Sequence, residues 1–295
     1  MRRAAGLAAA LLLVVVGCGE PPAGSPSARS KPPERIVSMS PALTEILFAL
    51  GLGDRVVGVT TYCDWPPEAR RLPKIGGFVD PSVEAIVALS PDLVVVSPAA
   101  GNRDAALAIR RLGIRLEVVR CETLGEAYGA IEEIGRVCGI PTKSRETAGA
   151  IRRRVESAAA RVRGVEPVPV LFCVQLDPLI AAGAGTLPSE ILELAGGRNV
   201  VTADRYPRIG IETVIVLAPE AILVARMDAP DADPARVLDS WKRWPSVPAV
   251  RNGRIFVIDA TTALRAGPRV ADAVERLAGL LHPSLAGGQA SERQP

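Results

Sequence analysis

Two segments of this 295-residue chain spell nearly the same pattern 128 residues apart. Ser82-Val83-Glu84-Ala85-Ile86-Val87-Ala88-Leu89-Ser90-Pro91 leads into the apolar run Leu93 to Val96. Gly210-Ile211-Glu212-Thr213-Val214-Ile215-Val216-Leu217-Ala218-Pro219 leads in the same way into Ala221 to Val224. Each copy predicts a short helix, a proline-bearing turn and a buried strand, with Glu84 and Glu212 in the first turn of their helices. A weaker echo pairs Glu45-Ile46-Leu47 with Glu190-Ile191-Leu192, each followed by glycines and a Val-Val pair. Repetition at this length is too coarse for a solenoid. It points to one lobe built twice with a cleft between the copies, and such clefts are where small molecules bind.

The remaining segments fit that plan. Arg35–Met39, Val56–Val59, Leu93–Val96 and Arg115–Val119 read as strands, the last two apolar enough to be buried on both faces. Ser40 followed by Pro41 predicts a helix start running to Leu50 and stopping at Gly51. Thr123-Leu124-Gly125-Glu126 is a capping box opening a helix to Cys138. After Arg163 the alternation resumes: a strand at Val168–Phe172, a helix at Leu187–Leu194, the second repeat copy, a strand at Arg254–Ile258, and a helix from Pro268 to about Leu281. Alternating strands and helices imply α/β lobes with mostly parallel sheets. Between the copies, Ile151, Val155, Ala158, Ala159 and Val162 form one apolar stripe in an otherwise charged stretch from Thr142 to Arg163, a single amphipathic helix. The expected fold is α/β: two Rossmann-like lobes, residues 34–140 and 166–283, joined by one long connecting helix at 141–165. A ligand cleft lies between them, and a disordered tail follows at 284–295.

At the start of the chain, Arg2 and Arg3 precede an apolar run from Ala4 to Val16, shorter than a membrane-spanning helix requires. The pattern fits a secretory signal over residues 1–17. It closes on Val15-Val16-Gly17-Cys18, which resembles the lipobox of bacterial lipoproteins and makes Cys18 the expected lipidation site. Residues 18–33 are rich in Pro, Gly and Ser and read as a flexible tether. The expected location is periplasmic or otherwise extracytoplasmic, anchored in the membrane through lipid. Loss of residues 1–17 lowers the formal charge from +3 to +1, a near-balance that argues against a nucleic-acid partner. Four cysteines remain (Cys63, Cys121, Cys138 and Cys173), and their pairing stays open among three full connectivities.

Signals for catalysis are weak. There is no G-x-S-x-G and no phosphate-binding G-x-x-x-x-G-K run. Gly51-Leu52-Gly53 and Gly183-Ala184-Gly185 lack a third glycine and read as a helix stop or turn. The single histidine, His282, ends the last helix and is expected at the surface. One histidine also excludes a multi-His cage, so no metal site and no cofactor are expected. Aromatics make up only 3% of the chain, so their placement is informative. Phe48, Tyr128, Phe172 and Phe256 fall within regular elements and read as core. Tyr62, Trp65, Phe78 and Tyr206 fall in Pro- and Gly-containing loops after strands or before helices, which border the ligand crevice in open α/β sheets.

The segments Arg35-Ile36-Val37-Ser38-Met39-Ser40-Pro41, Tyr62-Cys63-Asp64-Trp65-Pro66-Pro67, Val83 to Val94 and Ala249-Val250-Arg251-Asn252-Gly253-Arg254-Ile255 resemble the helical-backbone substrate-binding proteins of ABC importers, and within them the cobalamin receptors. The likeness covers roughly residues 34–283. It implies a non-enzymatic, monomeric receptor that captures cobalamin or a related corrinoid, not as a cofactor but as cargo. The receptor would deliver this ligand to an ABC permease with its ATPase subunits. A ferric-siderophore or haem receptor is the alternative on the same scaffold. It further implies that Tyr62, Phe78 and Tyr206 contact the ligand, joined by Trp65, with Arg265 at the pocket edge. Glu84 and Glu212 would dock into the permease. Ala99 and Val174 stand near positions that are aromatic in the family, and Ala195 stands where some members carry a disulfide cysteine.

Overall fold

A computed structural model describes residues 31–225 and 233–285, and in it the two apolar runs of the repeat lie at equivalent places in two separate sheets. The first half runs β1 (Ile36–Ser38), α1 (Pro41–Ala49), β2 (Val56–Val59), α2 (Val83–Ala88), β3 (Leu93–Val96), α3 (Arg103–Arg111), β4 (Leu116–Val118) and α4 (Leu124–Val137). Then comes α5 (Pro141–Arg161). The second half runs β5 (Val168–Leu176), β6 (Leu179–Ala181), α6 (Leu187–Leu194), β7 (Gly197–Asn199), α7 (Ile211–Leu217), β8 (Ala221–Val224), α8 (Pro234–Trp241), α9 (Pro248–Arg251), β9 (Ile255–Val257), α10 (Ala260–Ala263) and α11 (Val270–Leu281).

The first sheet has the order β2-β1-β3-β4, all parallel. In the second, β5 pairs in parallel with β8, which pairs with β9, and on its other edge β5 pairs with β7 and with the antiparallel β6. Setting β6 aside, the order β7-β5-β8-β9 repeats that of the first sheet, strand for strand. The duplication therefore reaches beyond the repeated motif to the whole lobe. Both copies even share a left-handed residue in the turn before the central strand, Ser90 (φ 45°) and Ala218 (φ 44°). β3 and β8 are buried throughout, as expected for strands with neighbours on both sides and helices on both faces.

Three expectations need correction. Residues 116–118 form an edge strand with one open side, so β4 is half-buried to exposed rather than buried on both faces. β5 extends past Phe172 to Leu176 and turns back through Asp177-Pro178 into β6, a hairpin that the repeat does not foreshadow. Ser40 occupies the cap position of α1, but its side chain accepts no capping bond, whereas Thr123 does accept one from the Glu126 N–H.

The connector is a helix of 21 residues, about 32 Å long at 1.5 Å per residue. Ser144, Ala148, Ile151, Val155 and Ala158 are its buried positions, spaced four and three apart so that they share one stripe. That stripe packs on α4 from the first lobe and α11 from the second. Gly135 permits the tight contact with α4, since a Cβ there would lie 2.1 Å from that of Ser144. On the second lobe, Arg154 donates to Asp272 at 2.7 Å and to Glu275 at 2.8 Å. Residues from Pro32 onward cluster as one unit that includes both lobes. Residues 1–30 and 286–295 lie outside the described residues, so the expected signal segment, the expected lipidation site Cys18 and most of the expected tether and tail fall outside them. Among the described residues no helix is long and apolar enough to cross a membrane.

Candidate ligand cleft between the lobes

The strand order fixes where a ligand can sit. In each sheet the chain reverses direction between β1 and β3, or between β5 and β8, and crevices form beyond the C-terminal ends of strands at such points. Glu122 follows β4 and Arg205 follows β7, and the Arg205 guanidinium donates to the Glu122 carboxylate at 3.3 Å. Asp64 follows β2 and Arg265 follows β9, and they too are hydrogen-bonded, at 2.5 Å. Two contacts between residues beyond strand ends of different sheets mean that those ends face each other.

Tyr62 and Trp65 lie in the loop after β2, with 58% and 43% of their surface exposed. The Tyr62 carbonyl accepts from Arg265 Nη2 at 3.1 Å. The Trp65 ring lies 4.8 Å from the Arg269 guanidinium, a cation–π contact. Phe78, half-buried, is held through its backbone: Asn102 Nδ2 donates to the Phe78 carbonyl at 3.2 Å and to the Ser97 carbonyl at 3.0 Å. Asn102 is itself buried, and its Oδ1 accepts from the Ala99 N–H at 3.1 Å. Val174, by contrast, lies within β5 and packs on the core.

Tyr206 is 47% exposed on the facing lobe. Its loop is zipped to the segment after β6: the Gly183 N–H donates to the Arg205 carbonyl, and Ala184 exchanges bonds with Ala203 and Arg205 at 2.9 Å each. A Cβ on Gly183 would fall 1.9 Å from the Ala203 carbonyl oxygen, so the close approach requires glycine there. Arg205 adopts φ 63°, a conformation costing a non-glycine residue about 1 kcal/mol. Partial burial raises the Tyr206 phenol above its usual pKa, against a smaller pull from Arg205, so it is a neutral hydrogen-bond donor.

Arg265 was expected at the pocket edge. Its side chain is only 10% exposed and is engaged with Glu45, Asp64 and the Tyr62 carbonyl. Arg269 is 14% exposed. Burial opposes its charge, but the hydrogen bonds and charge of Glu45, aided by Asp259 and Asp64, outweigh that and raise its pKa. Glu45, Asp64, Asn102 and Arg269 hold the candidate cleft loops and were not among the residues selected from the sequence. The one available signal was Glu45, a charge inside the apolar run Leu43 to Leu47, which must find a partner.

Glu84 and Glu212 are exposed, each second in its helix, and each helix begins on the side where the strands of its sheet end. Glu84's own backbone N–H and the Ser82 hydroxyl, at 3.0 Å, hold its carboxyl below the usual range. His282 is not at the surface: it is buried with Nε2 2.9 Å from the Gly196 carbonyl, closing the second lobe. Cys63, Cys121, Cys138 and Cys173 are all free and buried. Among the described residues no three His, Cys, Asp or Glu side chains are grouped to share a metal ion.

Comparison with known proteins agrees with this architecture. Residues 36–262 match the model of the periplasmic binding protein family. A vitamin B12-binding protein of Vibrio cholerae is 31% identical over 254 residues, covering 85% of this chain and 90% of that protein. An uncharacterised ABC transporter substrate-binding lipoprotein of Bacillus subtilis, YvrC, is 30% identical over 96% of this chain and 98% of its own length. The periplasmic haem-binding protein RhuT from Roseiflexus sp. RS-1, solved in its apo form, superposes with a TM-score of 0.77 at 30% identity, covering 85% of this chain and 99% of RhuT. A duplicated α/β lobe, strand ends facing across a seam and a family match over most of the described residues agree: the chain belongs to the periplasmic binding protein family, non-enzymatic components of transport.

Proposed function

We propose that this chain is the lipid-anchored receptor of an ABC importer and that it grips cobalamin or a related corrinoid between its lobes. The observation that carries the ligand reading is the placement of half-exposed rings on facing loops, Tyr62 and Trp65 on one lobe and Tyr206 on the other. A corrinoid is a broad, flat ring with amide edges. Aromatic faces cover such a ring with little rotamer entropy lost, and the Tyr hydroxyls can meet its polar rim. Phe78, pinned by Asn102, adds a fourth ring, and Arg265 belongs to the site through its grip on the Tyr62 carbonyl. The vitamin B12-binding relative supports this choice. Haem is the second reading, favoured by the superposition on RhuT, because a porphyrin presents the same flat face with carboxylates at its edge.

Delivery requires a partner. In this reading, Glu84 and Glu212, exposed at matching places on the two lobes, engage basic pockets on the permease. Cys18 carries the lipid that holds the receptor outside the cytoplasm, and YvrC's description as a lipoprotein supports that part. Calorimetric titration of the mature chain with cyanocobalamin and, separately, with haemin tests the ligand. Saturable micromolar or tighter binding of cyanocobalamin is expected. Binding of haemin alone would transfer the assignment to haem, and binding of neither would remove both.

A further inference from the structure

Glu45 lies in the middle of α1 with its side chain 2% exposed, beside the fully buried Leu43, Ile46 and Leu47. A carboxylate in that setting is tolerated only when paired and hydrogen-bonded. Its partners come from the other lobe. Arg269 donates to it twice, from Nε at 2.9 Å and Nη2 at 2.6 Å, and Arg265 Nη1 donates at 3.3 Å. The same two arginines reach back to the loop after β2. Arg265 holds the Asp64 carboxylate at 2.5 Å and the Tyr62 carbonyl at 3.1 Å, and Arg269 underlies the Trp65 ring. Arg269 Nη1 is further braced by Thr262 Oγ1 at 3.0 Å. Three residues of one loop are thus fastened to the opposite lobe through two arginines, and one buried glutamate orients both.

The repeat makes this more than a local accident. Glu190, the counterpart of Glu45 in the second lobe, also crosses the seam: its carboxylate accepts the Leu124 N–H at 2.8 Å, at the first turn of α4. Each lobe therefore sends the same glutamate of its first helix into the other. The two crossings differ in strength. Glu190 meets a single backbone N–H, whereas Glu45 anchors a charged cluster that includes the candidate ligand loop.

We propose that Glu45 is a positioning residue for ligand capture. By orienting Arg265 and Arg269 it places Tyr62 and Trp65 against the second lobe and sets the width of the cleft at that end. The proposal rests on the reading that Tyr62 and Trp65 meet the ligand, but its first test needs no ligand. In the mature chain, Trp65 emission is isolated as the difference from the Trp65→Phe variant. Glu45→Gln, which keeps the shape and removes the charge, is expected to shift that emission to the red and raise its quenching by acrylamide, with circular dichroism unchanged. Cyanocobalamin or haemin, whichever the parent chain binds, should be held about tenfold more weakly. If Glu45→Gln does not fold, Arg269→Lys is the substitute: it keeps the charge but loses the planar stack and the two-pronged grip, and the same changes are expected. Unchanged Trp65 emission in the folded variant would overturn the proposal, as would unchanged affinity in a parent chain that binds either ligand. If the parent chain binds neither, the ligand reading fails and the emission result alone decides.

Discussion

Cys138 illustrates how far burial alone can tune a side chain. It closes α4 deep between the helices, and burial raises its thiol from 9.0 to about 11 against the pull of Arg55 and Arg115. Cys121 is raised to about 12 by burial, with smaller pushes from Glu126 and Glu45. Both are therefore protonated and unreactive at neutral pH. Because the folded pKa lies above the unfolded value, the folded chain holds the proton more tightly. That contribution is complete below about pH 9 and is lost as pH rises through about 11. Denaturant melts between pH 7 and 11 should show stability falling above pH 9, and Cys138→Ala should remove a share of about 2–3 kcal/mol. The sequence identified which aromatics stand on loops, because Pro and Gly mark those loops. It did not show that Glu45 meets Arg265 and Arg269, since those partners lie more than 200 positions away and only folding brings them together. His282 was misplaced for a similar reason: its partner, the Gly196 carbonyl, belongs to a different element.

Elements were legible where periodicity ran long enough to read. α5, with its stripe repeating over 21 residues, came through but ends at Arg161, four residues short of the expected 165, and the strands of the two repeat copies fall on the apolar runs Leu93–Val96 and Ala221–Val224. β6 and β7 did not come through: β6 is a hairpin return cut off from β5 by Asp177-Pro178, outside the strand–helix alternation, and the Gly-Arg-Asn of β7 carries no alternation. Yet this illegible part fixes the second wall of the cleft. The segment Gly183–Ala184, which follows β6, ties down the loop of Arg205 and Tyr206, with Gly183 pressed on the Ala203 carbonyl. Gly183→Ala should push that loop outward, destabilising the chain by about 1–3 kcal/mol. Affinity for cyanocobalamin should weaken, read by the same titration, more than in Gly129→Ala, where an added methyl in the middle of α4 meets nothing within 4 Å.

At the scale of the whole molecule, the repeat was the most informative sequence feature, because it foretold two sheets of one design and the topology bears that out strand for strand. Its matching acids carry the transport prediction. Glu84→Lys together with Glu212→Lys should reduce uptake by the reconstituted importer at least tenfold while leaving ligand affinity unchanged. Unaltered uptake would remove the docking role. Exposed charge pairs contribute only about 0.2–1 kcal/mol each, so either single reversal should act mainly on the rate of encounter. The helix shared by the two lobes also bears on how such a chain can be divided. Because α5 lays one apolar stripe against both α4 and α11, a cut on either side of it leaves one fragment with a greasy seam and the other with a helix missing from its wall. Neither fragment is self-sufficient, so a gene split there would yield two polypeptides that must find each other before either is properly clothed.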